Sequence, residues 1–155
     1  MRWSFLIVAL WASPALASCP DPDLGGASYA AVGPDLIVPK NWDVRAVGQH
    51  PAPCEDWAEI GIAAGNLDGF LPAAPTAVFE LDEMGPHILM VMARAECNPV
   101  LAVRSGDGLW HFGQTANGRE EVTLWGAPKG ALQVWVGAAT REGCDGTVTL
   151  ETFDR

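Results

Sequence analysis

The chain has 155 residues, 49% of them hydrophobic, with seven Trp, twelve Pro, seventeen Gly and four Cys. Such apolar content excludes a disordered acidic chain. A formal net charge of −10 excludes a phosphate-backbone binder, which needs a basic face, so no nucleic-acid partner is expected.

At the N-terminus Arg2 precedes an apolar run, Trp3 to Ala12, followed by Ser13-Pro14-Ala15-Leu16-Ala17. A positive residue, a short apolar core and Ala-x-Ala mark residues 1–17 as an export signal. The run is too short to cross a bilayer as a helix, which takes about 20 residues, so no transmembrane segment is expected. A second reading competes here. Leu16-Ala17-Ser18-Cys19 resembles the lipobox of bacterial lipoproteins, which would make Cys19 a lipid anchor. Acylation of Cys19 leaves Cys54, Cys97 and Cys144 an odd set in an oxidising compartment. Cleavage after Ala17 leaves four cysteines for two disulfides, with three possible connectivities. On parity the expectation is a soluble periplasmic or secreted protein, with Cys97 paired to Cys144 and Cys19 to Cys54. No CxxC and no Cys/His metal spacing is present, so neither zinc nor thioredoxin-like chemistry is expected.

Residues 18–75 form a Pro/Gly-rich extension in which strands should be short, because Pro removes a ladder donor and Gly loosens the backbone. Leu36–Val38 and Val44–Val47 are its expected strand fragments, 55–60 a helical turn, and 61–69 a loop. From residue 76 onward the pattern changes. Ala77–Leu81, His87–Ala95, Pro99–Arg104, Leu109–Gly113, Glu121–Trp125, Ala131–Ala138 and Thr147–Phe153 read as strands separated by turn clusters. The fold class this predicts is all-β, an antiparallel jelly-roll-like sandwich over 76–155 with the extension packed on it.

Alternation assigns faces within these strands. Leu132, Val134 and Val136 share the core face, which puts Gln133 and Trp135 on the opposite one. Val122 and Leu124 point inward, so Trp125 lies with Glu121 and Thr123. Val148 and Leu150 point inward, leaving Phe153 with Thr149 and Glu151. The run Ile88-Leu89-Met90-Val91-Met92 is apolar on both faces and should be a central strand covered on each side. Trp110 and Phe112 fall on one face of their strand, Leu109 and His111 on the other.

Three segments resemble the bacterial pre-peptidase C-terminal domain. These are Val78–Leu81 with Ile88–Met92 as an opening hairpin, Asn98–Val103 with Gly106-Asp107-Gly108 as a strand and turn, and Gly130–Gly137 with Thr147–Leu150 as a closing pair. The resemblance implies a non-catalytic β-sandwich of the kind appended to secreted proteases. Trp110-His111-Phe112 and the ending Thr149–Phe153 are also similar to small exported bacterial proteins. The family's Asp/Asn-rich run is replaced by Gln114-Thr115-Ala116-Asn117-Gly118. Calcium wants several convergent oxygens, so it is disfavoured, and no cofactor is expected.

Catalytic candidates are few. After the leader only Ser18, Ser28 and Ser105 remain as serines, and none stands in a nucleophile motif. Adjacent carboxylates such as Glu120/Glu121 point apart on a strand and cannot face one cleft. Asp107, in Ser-Gly-Asp-Gly, supports its own turn. There is no phosphate loop, dinucleotide fingerprint or metal-spaced His pair. Aromatics on sheet faces can stack on sugars or anchor a protein. The expectation is a non-catalytic envelope or extracellular module binding a protein or glycan through Trp110, Trp125 and Trp135, with Gln133 as a polar neighbour. The competing expectation is an accessory or inhibitor-like subunit of a separately encoded enzyme. For Trp125 and Trp135 the alternative to exposure is that the extension folds over them, using Trp42 and Trp57.

Overall fold

A computed structural model describes residues 19–65 and 67–154. The export signal of residues 1–17 lies outside them. Among the described residues, no helix is long and apolar enough to cross a membrane.

Two sheets face each other across one core. The larger contains β1 (Ala27–Val32), β3 (His50–Ala52), β4 (Gly69–Leu71), β5 (Ala77–Asp82), β7 (Pro99–Arg104), β8 (Trp110–Phe112) and β11 (Gly130–Ala138). The smaller runs β2 (Lys40–Ala46), β12 (Cys144–Asp154), β6 (His87–Ala95), β10 (Arg119–Trp125) and β9 (Gln114–Ala116). This is the all-β sandwich that the short, regularly spaced strands predict. Its pairings are antiparallel except for β1, which runs parallel to β5.

Inward positions follow the period-two alternation. Leu89 and Val91 of β6, Val122 and Leu124 of β10, and Val148 and Leu150 of β12 meet Phe79, Leu101, Leu132 and Val134 of the other sheet. Burying such side chains contributes about 1.5–3 kcal/mol each. The seven strands expected from Ala77 onward are all present, with ends shifted by a few residues at most.

The extension is more deeply integrated than the sequence pattern suggests. Its first half supplies β1 and β2, one edge strand to each sheet, joined by a short helical turn at Gly33–Leu36. Tyr29 stacks on Phe79 at 5.4 Å, and Trp42 meets the same ring edge-on at 4.8 Å. Trp42 therefore packs against the main core rather than over a sheet face. Leu36–Val38 is not a strand: Leu36 closes the helical turn, while Val38 is exposed.

The second half, from β3 through α1 (Glu55–Glu59) to β4, is a strap: β3 and β4 join the edge of the seven-stranded sheet, and the segment between them crosses its outer side. Trp57, Leu67 and Leu71 of the strap cover Val100 and Ala102 of β7 and Trp135 of β11 in a second cluster. β7 is consequently apolar on both faces. Close approach requires Gly137, where a Cβ would collide with the Phe70 carbonyl of β4.

Candidate functional site

Among the described residues, no strap covers the five-stranded sheet. Its outward positions follow from register. Trp125 of β10 pairs with Ile88 of β6, and Ile88 pairs with Phe153 of β12. Residues paired across a ladder point to the same side, so Trp125, Ile88 and Phe153 form one row across three strands. Strands are about 4.8 Å apart, which sets the two aromatics about 10 Å from each other along the row. Trp125 is 73% exposed and Phe153 40% exposed, and neither ring has an aromatic neighbour among the described residues. The next row is Thr123, Met90 and Glu151, and the one beyond is Glu121, Met92 and Thr149.

The row has an acidic border. Arg119 Nε donates to Glu121 Oε2 at 3.2 Å, whereas Glu151 has no charged partner among the described residues. Asp154, the next residue after Phe153, pairs with His87 and so points to the other side of the sheet. Its Oδ1 lies 3.3 Å from Nδ1 of the buried His87, without the alignment of a hydrogen bond. The expectation that the Ile88–Met92 strand is covered on each side is corrected here. β6 is central between β10 and β12, but among the described residues no further layer covers its outer face, where Ile88 and Met90 are half-buried and only Met92 is buried.

The other three expected binding residues lie on the opposite side of the sandwich. Trp135 has no exposed surface. Its indole Nε1–H donates to the carbonyl of Ala73, just beyond the strap, at 3.2 Å. It is a core residue. Gln133 is spent internally. Its Nε2 donates to the Pro22 carbonyl at 2.6 Å, and its Oε1 accepts from Arg104 Nη1 at 3.3 Å. Trp110 is half-buried, 4.7 Å from the Trp135 ring and parallel to Phe112. With Leu109, Ile60 and Arg104 it lines an open groove of about 960 Å³ beside α1. Trp125 and Trp135 thus never share a surface. Alternation told which residues accompany each Trp; it carries nothing about which face the chain later covers. Ile88 was missed as a surface residue for the same reason, since only the strand register places it between Trp125 and Phe153.

A Ser, a His and an Asp meet in the turn between β7 and β8. Ser105 Oγ donates to Asp107 Oδ1 at 2.5 Å, and His111 Nε2 lies 3.1 Å from Ser105 Oγ. The connections are the reverse of a nucleophilic triad, in which the carboxylate holds the imidazole and the imidazole takes the serine proton. Here the carboxylate accepts from the serine hydroxyl rather than from the imidazole. Ser105 is only 2% exposed. The trio fastens a turn, aided by the backbone bond from Ser105 N–H to the Leu109 carbonyl at 2.9 Å. Burial lowers the pKa of His111, and the Ser105 hydrogen bond lowers that of Asp107.

Cys97 and Cys144 are joined by a disulfide with Cα atoms 5.9 Å apart. It ties the start of β12 to the turn where the chain leaves the five-stranded sheet for the seven-stranded one. Cys19 and Cys54 correct the expected second bond, because they stand as thiols linked by a side-chain hydrogen bond. Cys54 occupies the N-cap of α1, and Cys19 Sγ is 3.9 Å from Asp56 Oδ2. Burial pushes the Cys54 thiol far above its ordinary range. No group of three or more His, Cys, Asp or Glu suited to a metal ion occurs among the described residues.

Fold and surface together define a two-sheet β-sandwich with one outer face strapped and the other open. Comparison with family models and with curated proteins gives no match. Among solved structures the chain is similar to the pre-peptidase C-terminal domain of a collagenase from Bacillus anthracis. Identity is 11% and the TM-score 0.45, over 83% of this chain and 97% of that chain.

Proposed function

We propose that the chain is a non-catalytic binding module that works in the periplasm or outside the cell, holding a glycan or protein of that compartment against its five-stranded sheet. The observation that carries this reading is the row Trp125–Ile88–Phe153. A Trp left 73% exposed on a rigid sheet, in register with a second exposed aromatic, is a preformed contact surface with little ordering entropy left to lose. Trp125 takes the place that sequence alternation divided among three Trp. The Arg2–Ala17 pattern and the Cys97–Cys144 disulfide support export, since disulfides persist in oxidising compartments.

Co-sedimentation of the exported protein with isolated Gram-negative envelopes tests the reading. Trp125→Ala with Phe153→Ala is expected to abolish co-sedimentation, and Trp110→Ala to leave it intact. Equal retention of the double variant and the unaltered protein, or no retention of either, overturns the reading.

A further inference from the structure

Resting on that reading of the outer face, we propose that its ligand is an uncharged polysaccharide lying across the strands, along Trp125, Ile88 and Phe153. Spacing is the first argument. Two strand separations, about 10 Å, match the length of a disaccharide unit in an extended glycan. One chain therefore meets both aromatics while the sugar between them passes over Ile88. Aromatic faces carry negative electrostatic potential that attracts the C–H face of a sugar ring, as it does the positive edge of another ring.

The flanking chemistry agrees. The two rows behind the aromatics present Thr123, Glu151, Glu121 and Thr149 on the same face. Hydroxyl and carboxylate oxygens accept from sugar hydroxyls, and charge-assisted acceptors are the stronger ones. Charge selects among glycans. Glu151 stands directly behind the row, Arg119 is engaged by Glu121, the exposed Arg94 lies three rows away at the far end of β6, and the chain carries −10 overall. Uronate, sulfate or phosphate groups would meet like charge at this surface.

Size decides against a protein partner. A stable protein interface buries about 800 Å² on each side. The exposed apolar surface here is one row, continued behind it only by half-buried Met90 between Thr123 and Glu151. A sugar chain needs only such a strip.

Affinity electrophoresis of the exported protein provides the test, using native gels that contain hydroxyethylcellulose, mixed-linkage β-glucan, galactomannan or alginate. Retardation is expected in at least one of the three neutral polymers and not in alginate. Trp125→Ala should weaken it about tenfold, Phe153→Ala should weaken it less, and Trp110→Ala should leave it unchanged. Absence of retardation in all three neutral gels overturns the proposal, as does retardation that Trp125→Ala leaves intact. If neutral gels fail while envelope co-sedimentation still depends on Trp125 and Phe153, the sugar class is wrong and the outer-face reading stands. If both fail, both fall.

Discussion

The two outer faces of the sandwich each receive a Trp from the same local pattern, an aromatic alternating with inward-pointing aliphatics. On the seven-stranded sheet the strap from β3 to β4 seals Trp135 with Trp57, Leu67 and Leu71, and Ala73, just beyond it, gives the indole N–H a carbonyl. On the five-stranded sheet Trp125 stays open to solvent beside Phe153. The same residue type is structural on one side and available for contact on the other. What separates them is a stretch of chain more than fifty residues earlier in sequence.

The sharpest way to break that comparison is a matched pair of truncations. Trp135→Ala removes a fully buried ring and should destabilise by about 3–5 kcal/mol. Trp125→Ala removes an exposed one and should change stability by no more than about 0.5 kcal/mol. Urea unfolding of both variants measures this. Similar losses would mean that the five-stranded face is also packed in solution.

The second cysteine pair bears on how firmly the strap is held. Cys19 and Cys54 are hydrogen-bonded thiols, so the strap is held without a sulfur–sulfur bond between them. The exported protein is expected to carry the Cys97–Cys144 bond alone, with a mass two hydrogens below that of the fully reduced chain. A Cys19–Cys54 bond would stabilise by about 3–4 kcal/mol on a chain-entropy basis, so unfolding of a Cys97→Ser, Cys144→Ser variant should be the same under oxidising and reducing conditions. A mass four hydrogens lower overturns this.

Gly137→Ala probes the strap from beneath. The new Cβ meets a main-chain oxygen of β4, which has no rotamer with which to yield. Overpacking of this kind costs about 1–3 kcal/mol. Amide exchange should accelerate in β3 and β4 and stay unchanged in β6 and β12. Uniform acceleration would show that strap and sandwich open as one unit.

Much of this was legible in the residues. Strands from Ala77 onward declared themselves through alternation between turn clusters, and so did the inward set Leu132, Val134 and Val136. Parity left three connectivities open, and of the two bonds expected the structure holds Cys97–Cys144. β1 and β4 were hidden, because Ala27–Val32 and Gly69–Leu71 are short, rich in small residues and framed by Gly and Pro. Tertiary pairing, rather than local propensity, makes them strands. The site was half visible. Alternation put Trp125, Trp135 and Phe153 on outward faces, but which face is covered depends on contacts between β7, β11 and a distant strap, and no local period encodes that.

The smallest expected effect concerns the turn that joins the strapped sheet to the groove. Burial lowers the pKa of His111, so the folded protein binds a proton there less readily than the unfolded chain. The stability from a neutral His111 is therefore complete above its ordinary value of 6.5 and is lost as pH falls below that toward the folded value. Asp107, held low chiefly by the Ser105 hydroxyl, acts in the same direction at lower pH, below its ordinary value of 3.8. Two windows should appear when stability is followed from pH 8 to pH 3. His111→Gln is expected to flatten the upper one and Asp107→Asn to reduce the lower. Mild acid should loosen the Ser105–His111 turn and the edge of the groove while leaving the Trp125 face unaltered, a difference that amide exchange at pH 5 and pH 7.5 would resolve. If His111 titrates above 6.5 in the folded protein, the sign is reversed, and the imidazole is stabilised by Asp107 more than it is penalised by burial.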